Sequence, residues 1–524
     1  MSRDRFVEER LPRADQQPEF LLLDYPERLN AAAELLKGGA SDDLAVINAH
    51  GSWTYAELDD FSGRIAHLLV EERGLVPGNR VLLRGPNGYT MFAAWLGILK
   101  AGGVAVTTMP LLRPGEIATV IDAAEVSHAI VDSRFIGDFR GAMSQTRYVK
   151  HLVKYDGDYG KGELETRCAS LKPLDTVDTG RDDPALIAFT SGTTGMPKGC
   201  IQFHRDVLAP CDTFAKTHFR MAPGDIVMTS APIAFTFGLG ATLMFPLAFG
   251  AATATIEQPS PPAMLDAIMK HGVTHLATAP TAYKAMVSQP ALDEALTTLK
   301  CCLSAGEHLP SAIWAAWKDR TGISIVDGIG STEMMHIFIS ESGDAIRPGS
   351  TGRAVPGYEA TVLDAGGNAL AEGEGRLAVK GPTGCRYLDD PRQANYVEGG
   401  WNITGDTYRK DADGYYWYIA RSDDMIVSSG YNIGAPEVEN ALLGHPAVAE
   451  CAVIGVPCPE RGQKVKAFIV AAANVTPNEA LISELKNFVK ATIAPYKYPR
   501  EIEFLEALPK TATGKLRRVD LRAR

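Results

Sequence analysis

"TSGTTGMPKG", residues 190–199, follows the apolar run "ALIAFT" and places three glycines, four hydroxyl residues, one proline and one lysine in ten positions. Glycine and hydroxyl residues leave a backbone free to wrap an anion, while the hydroxyls and the ammonium supply donors. A Walker loop needs glycine directly before its lysine, and here Pro197 precedes Lys198. "GIGSTE" and "GLGATL" both lack the third glycine of a dinucleotide fingerprint, and neither a GxSxG elbow nor an HExxH zinc motif occurs. The stretch therefore reads as a phosphate loop of another kind, set after a buried strand.

The chain around it has 524 residues, more than one hydrophobic core organises, so at least two domains are expected. Its net charge of −11 argues against a nucleic-acid or acidic-membrane surface, so local donors must hold any anionic ligand. The start, "MSRDRFVEERLPR", is charged throughout and does not read as a secretory signal. "APIAFTFGLGATLMFPLAFGAATATI", residues 231–256, is uncharged and long enough to span a bilayer. Two prolines, three internal glycines at 238, 240 and 250, and four threonines favour a buried strand-turn-helix wall instead. A soluble, cytoplasmic protein is expected. The eight cysteines form no CxxC pair and no zinc grouping, and read as small buried residues without disulfides.

Along the chain, strand-like and helical patterns alternate. "RVLLRGP" leads to the helical "GYTMFAAWLGILKAG" and then to "VAVTT"; "ATVIDAAEVS" leads to "HAIVDS", and "MLDAIMKHG" to "VTHLATA". Such βαβ grammar predicts an α/β domain of mostly parallel sheets flanked by helices. After Ile346, glycine-rich short alternations predict a β-rich subdomain. Beyond the polar joint "RSDDMIVSSGYNIG", about a hundred residues read as a small α+β domain. The expected boundaries are 1–422 for the large domain and 423–524 for a small mobile one.

"TSGTTGMPKG" resembles the phosphate loop of the acyl-adenylate-forming (AMP-binding) superfamily, which includes acyl- and aryl-CoA ligases, luciferases and peptide-synthetase adenylation domains. Five further stretches come in that family's order: "GSTEMMH" (330–336), "GRLAVKGP" (375–382), "WNITGD" (401–406), "ARSDDMIVSSGYNI" (420–433) and "PKTATGKLRR" (509–518). "YPERLNAAAELL", "AFTFGLG" and "DGIGSTEMMHIFIS" are similar more narrowly to benzoate and 2-aminobenzoate (anthranilate) CoA ligases.

The resemblance implies ATP, Mg²⁺ and coenzyme A as reactants and cofactors, and roles for matching positions. Thr190, Ser191, Gly192, Thr193, Thr194 and Lys198 would hold the β- and γ-phosphates, the leaving group of adenylation. Thr332 would donate to the α-phosphate and Glu333 would ligate Mg²⁺. Asp406 and Arg421 would hold the ribose, and Gly306, Glu307, Asp327, Gly328 and Ile329 would frame the adenine. Lys515 would bridge the substrate carboxylate and α-phosphate, then swing away as the small domain turns about Asp423, with Gly430 lining the pantetheine tunnel. Phe235, Thr236, Phe237, Gly330 and His336 would border an aromatic acid; His336 is either that contact or a core histidine bonded to backbone. No aspartate in 231–256 offers a partner for an ammonium, whereas an aromatic amine is neutral and needs none.

Three positions depart from the usual pattern: Ala420 for glycine before the hinge arginine, Ile329 for an aromatic beside adenine, and Gly462-Gln463 for Gly-Glu. The expected function is an aryl-CoA ligase acting on 2-aminobenzoate, benzoate or a close relative, as monomer or homodimer. The alternatives are an adenylating enzyme that loads a separate carrier protein, and a nucleotide-binding protein without catalysis. Lys515 and Glu333, both present, disfavour the last.

Overall fold

The computed structural model describes residues 3–190, 197–421, 424–428, 431–458, 461–510 and 516–524. Two helix-flanked sheets form the large part of the chain. In the first, the strands run His151–Tyr155, His128–Asp132, Arg80–Arg84, Val104–Thr108, Pro184–Thr190 and Lys198–Phe203 across the sheet. All neighbours are parallel except the last pair, an antiparallel hairpin in which Thr190 faces Lys198. The connection Tyr89–Lys100 is a helix buried on every side, which its largely apolar sequence requires, its one charge, Lys100, being paired with Asp59. Asp158 fastens its start, accepting from the Tyr89 and Thr90 amides at 3.1 and 3.0 Å.

The second sheet is parallel through its centre, with Ala252–Ala254, Ile226–Thr229, His275–Thr278, Cys301–Ser304 and Ile325–Gly330 side by side. Ile325–Gly330 then turns back on Ile337–Ser340 in antiparallel register, with Gly328 opposite Ser340. The predicted α/β grammar is therefore present, with helices Pro114–Ala124 and Pro261–His271 preceding the strands expected of them.

One expectation is corrected. Residues 231–256 are a helix followed by a strand, not a strand followed by a helix: helical turns run from Thr236 to Ala248 and Ala252–Ala254 follows. Pro246 is tolerated because Gly240–Met244 is wound with wider, π-type turns, which already displace the ordinary hydrogen-bond ladder. Among the described residues no helix is long and apolar enough to cross a membrane.

The glycine-rich region forms a β-rich subdomain, with Glu359–Leu363, Gly373–Lys380, Trp401–Lys410 and Tyr416–Arg421 paired antiparallel in that order. The C-terminal part is α+β. Its strands Val448–Cys458 and Gly462–Ala471 pair antiparallel, Glu501–Phe504 joins in parallel, and helices Ala435–Leu443 and Glu479–Thr492 pack with them around one core. Asn478 caps the longer helix by accepting from the Leu481 amide at 2.9 Å. Where this part meets the large one, Asn440 and the His308 ring lie 3.2 Å apart, and Lys284 donates to the Ala449 carbonyl. The eight cysteines are free thiols, five of them buried.

Candidate active site

The site residues lie where the two parallel-sheet units and the β-rich subdomain meet. The hairpin Pro184–Thr190/Lys198–Phe203 delivers Lys198 from a strand rather than from a loop. Its ammonium donates to the Tyr387 hydroxyl at 2.7 Å and stands 3.6 Å from Glu333 Oε1. Tyr387 in turn donates to that same Glu333 oxygen at 2.5 Å. Burial first, and then the charge of Glu333, push the Tyr387 phenol far above its ordinary pKa, so it stays a donor. Glu333 is 6% exposed, and its backbone is tied down by Gln202, whose amide donates to the Thr332 and Glu333 carbonyls at 2.9 and 3.2 Å. The Thr190 hydroxyl oxygen is buried with no hydrogen-bond partner among the described residues.

A tight turn carries the chain from Thr332 to His336. The Met335 amide donates to the Thr332 carbonyl and that of His336 to Met334, while Met335 itself holds a left-handed φ of 65°. A bulky residue in that region is strained, by about 1–3 kcal/mol, and such strain collects at sites where side-chain placement matters. Gly330 is required beside it, because a Cβ there would lie 2.6 Å from the His336 carbonyl oxygen.

The turn sends His336 into an aromatic cluster. Its ring lies 5.7 Å from Phe237, 5.6 Å from Phe214 and 4.6 Å from Phe245, centroid to centroid. The imidazole is 2% exposed, and neither nitrogen makes a hydrogen bond of ordinary geometry among the described residues. Burial lowers its pKa to about 3, against the Phe237 backbone, which acts to raise it, so the ring is neutral. Phe235 and Thr236 stand at the head of the helix that carries Phe237.

On the other side, Asp406 and Arg421 are register partners on adjacent strands, with the guanidinium 3.3 Å from the carboxylate. Gly405, at φ 77°, makes room: a Cβ would meet Arg421 Nη2 at 3.0 Å. Asp327 is the last residue of its strand in the parallel pairing, opposite Ser304, which stands two residues before the left-handed Gly306. Burial raises its carboxyl to about 8, and Oδ1 has no hydrogen-bond partner among the described residues. The charges of Asp406 and Asp327 both act on Tyr408, so the two groups share one neighbourhood. Gly328 and Ile329 continue the Asp327 strand, and Glu307 follows Gly306.

The structure therefore brings Lys198 to Glu333, Asp406 to Arg421, and Phe237 and Gly330 to His336. Ser191, Gly192, Thr193, Thr194, Asp423, Gly430 and Lys515 lie outside the described residues. Sequence reasoning missed Tyr387, Gln202, Phe214 and Phe245. Tyr387 follows "GRLAVKGP" by five residues and could have been reached by extending that motif; Phe214 carries no local signal. Among the described residues no group of three or more His, Cys, Asp or Glu could hold a metal. One buried carboxylate, Glu333, suits Mg²⁺ of the kind held mainly through substrate phosphates.

The family description "AMP-binding enzyme" matches residues 37–386, and "AMP-binding enzyme C-terminal domain" matches 437–515. The benzoate–CoA ligase of Thauera aromatica is 36% identical over 512 residues, covering 96% of this chain and 97% of its own. The human mitochondrial acyl-coenzyme A synthetase ACSM3 is 33% identical, over 95% of this chain and 90% of its own. The crystal structure of the anthranilate CoA ligase AuaEII, in complex with anthranoyl-AMP, superposes with a TM-score of 0.90 at 33% identity, covering 95% and 98% of the two chains. With a family match across most of its length and relatives above 30% identity over nearly all of it, the chain belongs to the AMP-binding enzyme family.

Proposed function

We propose that this protein is an AMP-forming acid–thiol ligase that adenylates an aromatic carboxylate, 2-aminobenzoate or benzoate in type, and transfers the acyl group to coenzyme A. The observation that carries the reading is the single turn 332–336. It sets a buried carboxylate beside Lys198 at one end and a buried, neutral imidazole inside an aromatic cluster at the other. Phosphate chemistry and a planar apolar acid would so meet within one turn. The benzoate–CoA and anthranilate–CoA ligases among the relatives support the aryl class.

In the first step a substrate carboxylate oxygen attacks the α-phosphorus of ATP, and the bond to pyrophosphate breaks. Both reactants are anions, so the site must neutralise charge and align the attack. Lys198 and the hydroxyls of Thr190, Ser191, Thr193 and Thr194 hold the departing pyrophosphate, and Thr332 donates to the α-phosphate. Mg²⁺, when bound at Glu333, offsets polyphosphate charge. Asp406 accepts from the ribose hydroxyls with Arg421 in support, and Asp327, Gly328, Ile329, Gly306 and Glu307 frame the base. Lys515 bridges the carboxylate and α-phosphate. In the second step a thiolate attacks the acyl carbon and AMP leaves with the electron pair; no protein cysteine takes part. The small domain, 423–524, turns about Asp423 between the steps, and Gly430 lines the thiol's path. Such alternation keeps the acyl-adenylate from water.

The test is carboxylate-dependent ATP–pyrophosphate exchange without thiol, across benzoate, 2-aminobenzoate, hydroxybenzoates, an α-amino acid and a medium-chain fatty acid. Exchange with one or two aryl acids, and thioester on adding CoA, is the expected result. Exchange with the fatty acid alone would place the acid class nearer that of an acyl-coenzyme A synthetase. Acyl-adenylate that reacts with a carrier-protein thiol and not with CoA would replace the acceptor.

A further inference from the structure

We propose that Tyr387 is the positioning residue of the phosphate and metal half of this site, its hydroxyl setting Lys198 and Glu333 for MgATP; the inference rests on the function proposed above. One hydroxyl accepts from the Lys198 ammonium at 2.7 Å and donates to Glu333 Oε1 at 2.5 Å, and holds the two charges 3.6 Å apart. A tyrosine hydroxyl can accept and donate at once, whereas a phenyl ring can do neither.

The post that carries this hydroxyl is rigid. Tyr387 is 1% exposed and packs edge-on against Tyr396, with ring centroids 5.8 Å apart. Its amide donates to Gln393 Oε1 at 2.9 Å, and the Gln393 amide donates to the Cys385 and Gln16 carbonyls at 3.1 and 2.9 Å. Opposite, Tyr387 pairs with Cys200 on the strand that carries Lys198, and the ammonium also lies 4.7 Å above the Tyr387 ring. Three separate stretches of chain therefore fix the hydroxyl, and through it the two charged groups.

This arrangement has a direct consequence for ligand binding. Lys198 and Glu333 already attract at 3.6 Å, and a closer, hydrogen-bonded ion pair would occupy the carboxylate that Mg²⁺ needs and the ammonium that phosphate needs. The intervening hydroxyl uses one lone pair of one Glu333 oxygen and leaves Oε2 for a cation. Removing it lets the pair collapse, and MgATP must then break that pair to bind.

The test compares the full-length parent with Tyr387→Phe, which keeps the ring. Calorimetric titration of MgATP and of AMP, each without acid, gives a readout independent of turnover. AMP lacks the β- and γ-phosphates and reports on Thr332, Asp406, Arg421 and the base pocket. The expected result is a Kd for MgATP weakened at least about tenfold with that for AMP within twofold. A matching rise is expected in the Mg²⁺ concentration for half-maximal pyrophosphate exchange. In a Lys198→Met background the same change should lose most of its effect, because the collapsing pair is gone. Unchanged MgATP affinity overturns the proposal, as does equal weakening of both nucleotides or a variant that fails to fold, since the hydroxyl is then merely structural. A parent that binds MgATP yet exchanges pyrophosphate with no acid overturns the proposed function, while the two titrations still decide the role of Tyr387.

Discussion

Asp406 and Arg421 face each other across two antiparallel strands, and the guanidinium rests 3.3 Å from the carboxylate over a glycine that could be no larger without moving it. The arginine thereby holds a buried acceptor in place for a ligand's hydroxyls. Hydrogen bonds to charged groups contribute about 1.5–3 kcal/mol each. Asp406→Ala is expected to raise the KM for ATP roughly 10- to 100-fold, with the KM for the acid changing little, in pyrophosphate-exchange kinetics.

Asp327 gives a prediction with an unusual sign. Burial raises its carboxyl to about 8 from an ordinary 3.8, so the native chain binds a proton there that the unfolded chain releases above pH 4. Native stability from this group is complete below pH 3.8 and declines as pH rises towards 8. Asp327→Asn, which copies the neutral acid, should melt higher than the parent at pH 8, and the difference should vanish near pH 4. Because the acid is already neutral at pH 7, ATP affinity in the variant should stay within about threefold there, measured by calorimetry.

Buried histidines act in the opposite direction. Burial lowers His204, His128 and His308 to about 4, and the His204 Nδ1 accepts from the Ala31 amide at 3.1 Å, a bond the protonated ring cannot make at that nitrogen. Between pH 6.5 and 4 the unfolded chain takes up protons that the native chain refuses, so stability is present above 6.5 and is lost as pH falls. Each unit of separation is worth about 1.4 kcal/mol. Thermal melts should therefore fall steeply from pH 7 to 5. His204→Asn, whose amide oxygen can replace Nδ1 as acceptor, should flatten part of that slope.

Gly240 tests the aromatic cluster without touching the nucleotide residues. A Cβ there would lie 2.4 Å from His336 Cδ2 and 2.6 Å from Nε2, and the ring is walled by Phe214, Phe237 and Phe245. Overpacking of this kind costs about 1–3 kcal/mol. Gly240→Ala is expected to raise the KM for an aryl acid about tenfold while the KM for ATP moves less than twofold, in the same exchange assay.

What could be read in the sequence follows physical range. Strands such as Arg80–Arg84 and helices such as Tyr89–Lys100 declare themselves through neighbouring residues, and so does the pairing of Asp406 with Arg421, fifteen residues apart in one antiparallel ribbon. Residues 231–256 misled because an uncharged run rich in Phe and Thr fits strand and helix equally, and only the widened turns before Pro246 decide between them. Tyr387 lies 54 positions from Glu333 and 189 from Lys198, and Phe214 meets His336 from far along the chain; nothing local announces either meeting. The aromatic burial of His336 was likewise invisible, since it is a property of the packed chain.

The hairpin that ends at Thr190 and resumes at Lys198 has a consequence for how such proteins diversify. Thr190 and Lys198 face each other in one antiparallel register, about 5 Å apart, so the lysine belongs to the frame of the sheet. The ammonium and the tyrosine that receives it are thus held by the sheet itself, so changes in the intervening sequence leave both in place.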